Sequence, residues 1–243
     1  MLIPPRCRSW GTDGSSSLFL FRYLSWLYRI FCSVDIYETN SNTVCGYLSS
    51  LMSEVTLRCS CGKVRGAARL SPGSGTRIVC YCGDCREFLT HLGGEKFLDP
   101  YGGAENFQIA PANFKITEGI EYVRCLRLTE KGMFRWYADC CKTPIGNTFS
   151  PRVPFISLFV AFFDSSQSVE SSLGPVRGYV NTASATAPLP PEIANSSTLK
   201  VVGLAFSKLL IWKIRGLGQP SPLFDGTGVP ISVPTILRNS ARS

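Results

Sequence analysis

Cysteine is concentrated in three short clusters, and any fold of this chain has to accommodate them. Five of the eleven cysteines lie within residues 59–85, in the runs Cys59-Ser60-Cys61-Gly62 and Cys80-Tyr81-Cys82-Gly83-Asp84-Cys85, and two more are adjacent at Cys140 and Cys141. Thiolates bind zinc in a tetrahedron and are usually presented as closely spaced pairs on turns. The three clusters together predict a protein in which turns converge on zinc.

The number of clustered thiols indicates two kinds of zinc site. Seven thiols are one short of two closed tetrahedral sites, so the count matches one four-thiolate structural site and one three-thiolate site with an open position. Water or a substrate can enter an open position, which is why such positions mark catalytic zinc. Cys82 and Cys85 have zinc-knuckle spacing, and Gly62 permits a tight turn after Cys61. We therefore expect two zinc ions per chain.

The remaining cysteines and the single histidine are less specific. Cys7, Cys32, Cys45 and Cys125 stand alone and are interpreted as ordinary thiols. His91 follows the second cluster closely and is a candidate to complete a zinc shell or to contact a substrate. A packed or surface histidine is the alternative interpretation.

The clustering also bears on the compartment. A secreted disulfide-stabilised protein usually has dispersed, paired cysteines, whereas this chain has an odd number in groups. Cysteines only two positions apart rarely bridge each other. The pattern favours a reducing compartment, and we expect a cytoplasmic location, with mitochondrial or nuclear locations as alternatives.

The first 51 residues differ in character from the rest. Residues 15–34 are rich in aromatic side chains and leucine, but Arg22 and Arg29 interrupt them, so we do not predict a transmembrane span there. We predict a poorly ordered extension before Met52, with a mitochondrial presequence as the alternative. The predicted boundaries are an extension at 1–51, a zinc-binding β domain at 52–183, a linker at 184–194, and an amphipathic helix with a basic tail at 195–243.

Short alternating segments follow the extension. Period-two alternation or short apolar runs predict strands, and Gly/Pro-rich turns separate them. The stretch after Cys80 is expected to be a loop. Many short strands of this kind argue for an all-β core. The predicted strands are 55–59, 64–68, 77–80, 122–128, 133–138 and 155–163.

One helix is predicted near the C-terminus, with caps at 195–197 and an end at Gly216. Its apolar residues recur at three and four and are interpreted as packing on the β core, with a membrane-surface helix as the alternative. They are Leu199, Val202, Phe206, Leu209, Leu210 and Ile214. Residues 195–243 carry six basic residues and one acid, which indicates a solvated basic face or, alternatively, an anionic partner such as nucleic acid.

Two of the cysteine runs carry a family resemblance. The stretches 59–66 and 80–86 resemble the glutathione-dependent formaldehyde-activating enzyme family, which includes the centromere protein V group and has the pattern CxCG, CxCxxC and a later CxxCGTPL. The late element is altered here to Cys-Cys-x-Thr-Pro, as in an uncharacterised branch of that family. Cys141 takes the place of the second late cysteine, and Cys140 substitutes for the first, which would fall at Ala138. The likeness covers 55–164 well and the tail at 218–225 less closely.

This resemblance implies a fold, a metal arrangement and an activity. The implied fold is mainly β, an Mss4-like (β-tent) zinc-binding fold, here with a C-terminal helix. The implied activity is that of a carbon-sulfur lyase acting on a glutathione or other thiol adduct at the three-thiolate site. A non-catalytic zinc-stabilised module that binds nucleic acid or a protein is the alternative. The implied ligands are Cys59, Cys61, Cys140 and Cys141 for a structural zinc, and Cys80, Cys82 and Cys85 for a second, more labile zinc.

Overall fold

The computed structural model describes residues 53–166 and 169–237, and this part of the chain is mainly β. The predictions for residues 1–51, with Cys7, Cys32 and Cys45, concern residues outside these ranges. The strands are β1 Ser53–Arg58, β2 Arg65–Leu70, β3 Thr76–Cys80, β4 Ala104–Ile109, β5 Phe114–Glu118, β6 Val123–Arg127, β7 Phe134–Ala138, β8 Thr143–Thr148, β9 Ile156–Phe159, β10 Tyr179–Val180 and β11 Thr235–Ile236. The helices are α1 Gly83–His91, α2 Val169–Leu173, α3 Pro191–Ala194 and α4 Thr198–Ile214.

The described strands form two sheets. The smaller sheet is antiparallel with the order β1-β2-β5, and the larger has the order β10-β3-β4-β9-β8-β7-β6-β11. Strands in the larger sheet are antiparallel except at its edges, where β10 and β11 run parallel to β3 and β6. A bridge between Leu57 and Phe163 connects the sheets, and the Asp164 amide donates to the Thr56 carbonyl at 3.1 Å. These contacts place β1 against the turn that follows β9.

Two hydrophobic clusters lie on opposite faces of the larger sheet. Successive residues of a strand point to opposite faces. On β9, Leu158 therefore enters the larger cluster, which draws on both sheets, and Phe159 enters the smaller one. The smaller cluster lies beneath α1, where the Phe88 ring is 5.6 Å from the Phe159 ring. A fully buried side chain of this size contributes about 1.5–3 kcal/mol.

Most of the predicted strands are confirmed within one or two residues as β1, β2, β3, β6 and β7, as is the mainly β class. The apolar run 155–163 is strand only at β9, and a 3-10 turn at Val160–Phe162 follows it. This turn buries Phe162, so the apolar run continues in the core without remaining extended.

Cys80 leads into a short loop at Tyr81 and Cys82, as expected, but a helix that was not predicted begins directly after it at Gly83. The Cys82 sulfur accepts a hydrogen bond from the Cys85 amide at 3.4 Å and caps the first turn of α1. Cys85, Phe88 and Leu89 are buried at a spacing of three and four. This apolar face packs on the larger sheet and stabilises a helix of nine residues that would be marginal alone.

Helix α4 is confirmed, with Ser197 as its N-cap, but its orientation differs from the prediction. The residues buried on the domain are Val201 and Trp212, and Leu209 is half-buried. The interpretation that the predicted apolar face packs on the β core is wrong for the other five members of that face, which are exposed. No described helix has the length and apolar character needed to cross a membrane.

Candidate metal centres

The first cysteine cluster lies where the two sheets approach each other. Cys59 and Cys61 are in the turn after β1, and Cys140 and Cys141 are in the turn between β7 and β8. All four sulfur atoms lie within 4.8 Å of one another. The Sγ–Sγ distances are 3.6 Å from Cys59 to Cys61, 3.8 Å from Cys59 to Cys140, and 3.3 Å from Cys61 to Cys140. Sulfurs at about 2.3 Å from a tetrahedral zinc are about 3.8 Å apart, so the donor set fits this metal.

Hydrogen bonds hold the first cluster in place. The Val64 amide donates to the Cys59 sulfur at 3.2 Å, after a turn in which Gly62 has a φ of 78°. Thr143, which is fully buried, has its hydroxyl 3.2 Å from the Cys141 sulfur. The same hydroxyl accepts the Ser60 amide at 3.0 Å. The two turns are therefore tied to each other through a side chain as well as through sulfur.

The thiols of the first cluster do not ionise equally. Burial raises the pKa of the Cys59 and Cys140 thiols, and neighbouring sulfurs raise it further. Burial also opposes ionisation of Cys141, but hydrogen bonds from the Thr143 hydroxyl and from backbone amides lower its pKa to about 6. Several thiolates at this spacing repel one another unless a cation lies between them. The cluster is therefore suited to a divalent metal, whose binding displaces the thiol protons.

The second cluster lies at the junction of β3 and α1. Cys80 ends β3, Cys82 caps α1 and Cys85 is in its first turn, with all three sulfurs within 4.8 Å. In the described part of the chain, no fourth histidine, cysteine or carboxylate joins this group. The Asn181 side-chain amide donates to the Cys80 sulfur at 3.4 Å. The helix N-terminus also favours negative charge on the Cys82 sulfur.

Mutual hydrogen bonding dominates the ionisation of the second cluster. The Cys82 and Cys85 thiols donate to Cys80 and lower its pKa to about 3. The pKa values of Cys82 and Cys85 are raised in turn, because each would lose this bond to Cys80 on ionising. One sulfur thus carries the charge that the other two stabilise. A cation bound by all three would replace the shared protons.

The two clusters differ in what they connect. Cys59 and Cys140 are 81 residues apart in the sequence, so the first cluster links the smaller sheet to the β7–β8 turn of the larger one. The second cluster comes from six consecutive residues, 80–85. Metal at the first cluster would therefore close a long loop, whereas metal at the second would tie together only the end of one strand and the start of one helix.

The other candidate residues lie apart from these groups. Cys125 is buried in β6, where burial raises its pKa to about 12. His91 is exposed as the last residue of α1 and belongs to neither group of ligand atoms. Ala138, where the resemblance would place the first late cysteine, is buried at the end of β7. The turn between β7 and β8 thus contributes the sulfurs of Cys140 and Cys141 to the first cluster.

Sequence reasoning did not find an open depression of about 560 Å³ that lies along the segment following Asn181. It is lined by residues of the segment 182–189 and by Ala194, directly after the Asn181 that contacts Cys80. Arg86 in α1 donates to the Ser184 carbonyl at 3.0 Å and ties this segment to the helix. Asn181 has a φ of 57°, a conformation that asparagine tolerates.

The fold and the site define the class of this protein: a two-sheet β protein with two cysteine groups that can hold metal ions. The chain belongs to the DUF6151 family, a family of unknown function, whose model matches residues 51–233. No curated protein matches the chain. A crystal structure of a Rhodobacter sphaeroides protein is similar at 16% identity and a TM-score of 0.34, over 50% of this chain and 96% of that one. Neither description names the glutathione-dependent formaldehyde-activating enzymes, so that resemblance stays a prediction.

Proposed function

We propose that the protein binds two zinc ions in an Mss4-like fold and acts on a small thiol adduct, such as that of glutathione, at the second site. The observation that carries this proposal is the contrast between the clusters: four sulfurs surround one centre, and three surround the other. Sets made of thiolates alone suit zinc, and three of them leave one tetrahedral position for a ligand. A reducing compartment such as the cytoplasm would keep these thiols free to bind metal.

In the proposed chemistry, the metal and the residues of the chain have separate roles. Cys80, Cys82 and Cys85 would hold the zinc, which would act as a Lewis acid that favours an ionised thiol or polarises a carbonyl. The chain orients these sulfurs through the Asn181 amide and the first turn of α1. The open depression along the segment that follows Asn181 is where the body of a thiol such as glutathione would lie.

A carbon-sulfur lyase reaction fits these parts without any further reactant. In the forward direction a bond forms between the thiol sulfur and the carbonyl carbon of an aldehyde, while the S–H bond and the π bond of the carbonyl group break and the proton ends on the former carbonyl oxygen. In the reverse direction the same bond breaks, and aldehyde and thiol are released. No electrons are gained or lost overall, so the reaction needs neither oxidant nor reductant.

The test is the rate of zinc transfer from the full-length protein to a chromophoric chelator, with and without glutathione. We expect a fast phase from the second site that glutathione slows and a slow phase that it does not affect. Cys82→Ser should remove the fast phase while its circular dichroism stays that of wild type. Cys125→Ala, at a buried cysteine outside both clusters, is the matched control and should keep both phases.

Two results would count against the proposal. If glutathione changes neither phase in a protein that holds both metals, the second site does not bind this kind of thiol. If Cys82→Ser also unfolds the domain, the second site is structural.

A further inference from the structure

Helix α4 presents a continuous apolar stripe to solvent. The stripe consists of Leu199, Val202, Phe206, Leu210 and Ile214, which recur every three or four residues and so share one face. Their exposed fractions run from 39% for Val202 to 84% for Leu199. Single exposed apolar residues are ordinary on a protein surface, but a contiguous patch indicates a binding surface.

The opposite face of the helix fixes the stripe in its outward orientation. Val201 and Trp212 are buried, and Trp212 packs with Ala110 and Phe155. Lys208 donates from its Nζ to the carbonyl groups of Gly73, at 2.8 Å, and of Gly75. Turning the stripe inward would break these contacts, so its exposure does not result from a loosely attached helix.

The charged residues around the stripe indicate what kind of partner it would bind. Helix α4 contains no acidic residue, and Lys200, Lys213 and Arg215 on and just after it are exposed. Arg152 shares a shallow depression with Lys213 at the end of the helix and adds a further cation. A second copy of the chain on this face would bring two sets of cations together with no carboxylate in either helix to offset them. The partner that fits is therefore both apolar and anionic.

We propose that α4 docks on the surface of an anionic lipid bilayer. An apolar face of this kind enters the boundary between headgroups and acyl chains, while lysine and arginine at its margins contact the lipid phosphates. The helix lies in the interface, consistent with its being too short to span a bilayer. This attachment is independent of the metal sites and would place the second cluster's reaction, or any other function of the domain, at a membrane.

The first test is co-sedimentation of the full-length protein with vesicles. We expect binding to vesicles of phosphatidylcholine with phosphatidylserine and much weaker binding to phosphatidylcholine alone. The double variant Phe206→Glu, Leu210→Glu should bind at least about tenfold less. The control variant Ile120→Glu, Val233→Glu changes two exposed apolar residues outside the stripe by the same charge and should bind like wild type.

A second pair of variants tests the charge contribution. Lys200→Gln and Lys213→Gln should each weaken binding to the anionic vesicles about fivefold, because each basic residue at the surface contributes about 1 kcal/mol. Lys131→Gln, at an exposed lysine outside α4, should not change it. The proposal is overturned if the full-length protein binds neither vesicle, or if the stripe variants bind as well as wild type. It is equally overturned if sedimentation shows that the stripe instead holds two copies together.

Discussion

Thr143 shows how the geometry of the first cluster depends on a single hydroxyl group. It is fully buried at the start of β8, and its oxygen contacts both the Ser60 amide and the Cys141 sulfur. Groups that orient a metal ligand commonly affect metal affinity about 10–100-fold when they are removed. We therefore expect Thr143 to affect how tightly the first cluster would retain a metal.

Thr143→Val removes this hydroxyl at nearly constant volume. We expect the free energy of unfolding to fall by about 1–3 kcal/mol, because the Ser60 amide loses its acceptor. Zinc should also be released from the first cluster at least about tenfold faster. Urea unfolding and chelator competition measure the two effects. Thr143→Ser keeps the hydroxyl and serves as the control, and equal zinc release from both variants would contradict this role.

Some residues of the candidate sites could be predicted from the sequence, and others could not. The cysteines could be found because their spacing along the chain is itself unusual, and the structure brings the same seven sulfurs into two groups. The contact of Asn181 with Cys80 could not be found, since the two residues are 101 positions apart and no local pattern connects them. The difference lies in separation along the chain. The sequence shows which metal-ligating residues are neighbours in the chain, but it does not show which distant residues pack against them.

At the scale of elements, the sequence analysis did not predict α1, and it predicted α4 with the wrong face buried. The apolar spacing of Cys85, Phe88, Leu89 and Leu92 was sufficient to predict α1, but these residues follow a metal-binding run that suggested a loop. Helix α4 is apolar on two faces. Periodicity therefore located the helix correctly, but it could not show which face packs on the domain, because tertiary contacts decide that.

Substitutions on the two faces of α4 test the observed orientation. Trp212→Ala should lower the free energy of unfolding by about 3–5 kcal/mol, because it leaves a cavity beside Ala110 and Phe155. Leu210→Ala, on the exposed stripe, should change it by less than about 0.5 kcal/mol. Chemical denaturation measures both. A larger loss for Leu210→Ala than for Trp212→Ala would mean that the predicted face, and not the observed one, packs on the domain.

At the scale of the whole molecule, the first cluster joins parts of the chain that the sequence separates widely. The mainly β class followed from short alternating segments, but the order of the larger sheet did not. Its edge strands β10 and β11 have only two residues each and pair with the distant β3 and β6, so they carry no alternation to detect. The sequence thus indicates that the distant cysteines of the first cluster come together, although it does not indicate the order of the strands.

This connectivity predicts that the two clusters contribute unequally to folding. Metal in the first cluster would hold the two sheets together, and the free energy of binding a structural zinc is folding free energy. A domain stabilised by about 5–15 kcal/mol would not tolerate losing it. Metal in the second cluster would secure only neighbouring residues, so its loss should leave the sheets paired.

The most direct measurement is the zinc content of wild type, Cys141→Ser and Cys82→Ser by native mass spectrometry, with circular dichroism on the same samples. We expect two zinc ions in the wild type, one in a folded Cys82→Ser protein, and loss of folded structure in Cys141→Ser. A folded Cys141→Ser protein with two zinc ions would contradict the structural role of the first cluster. A wild type without zinc would contradict both sites.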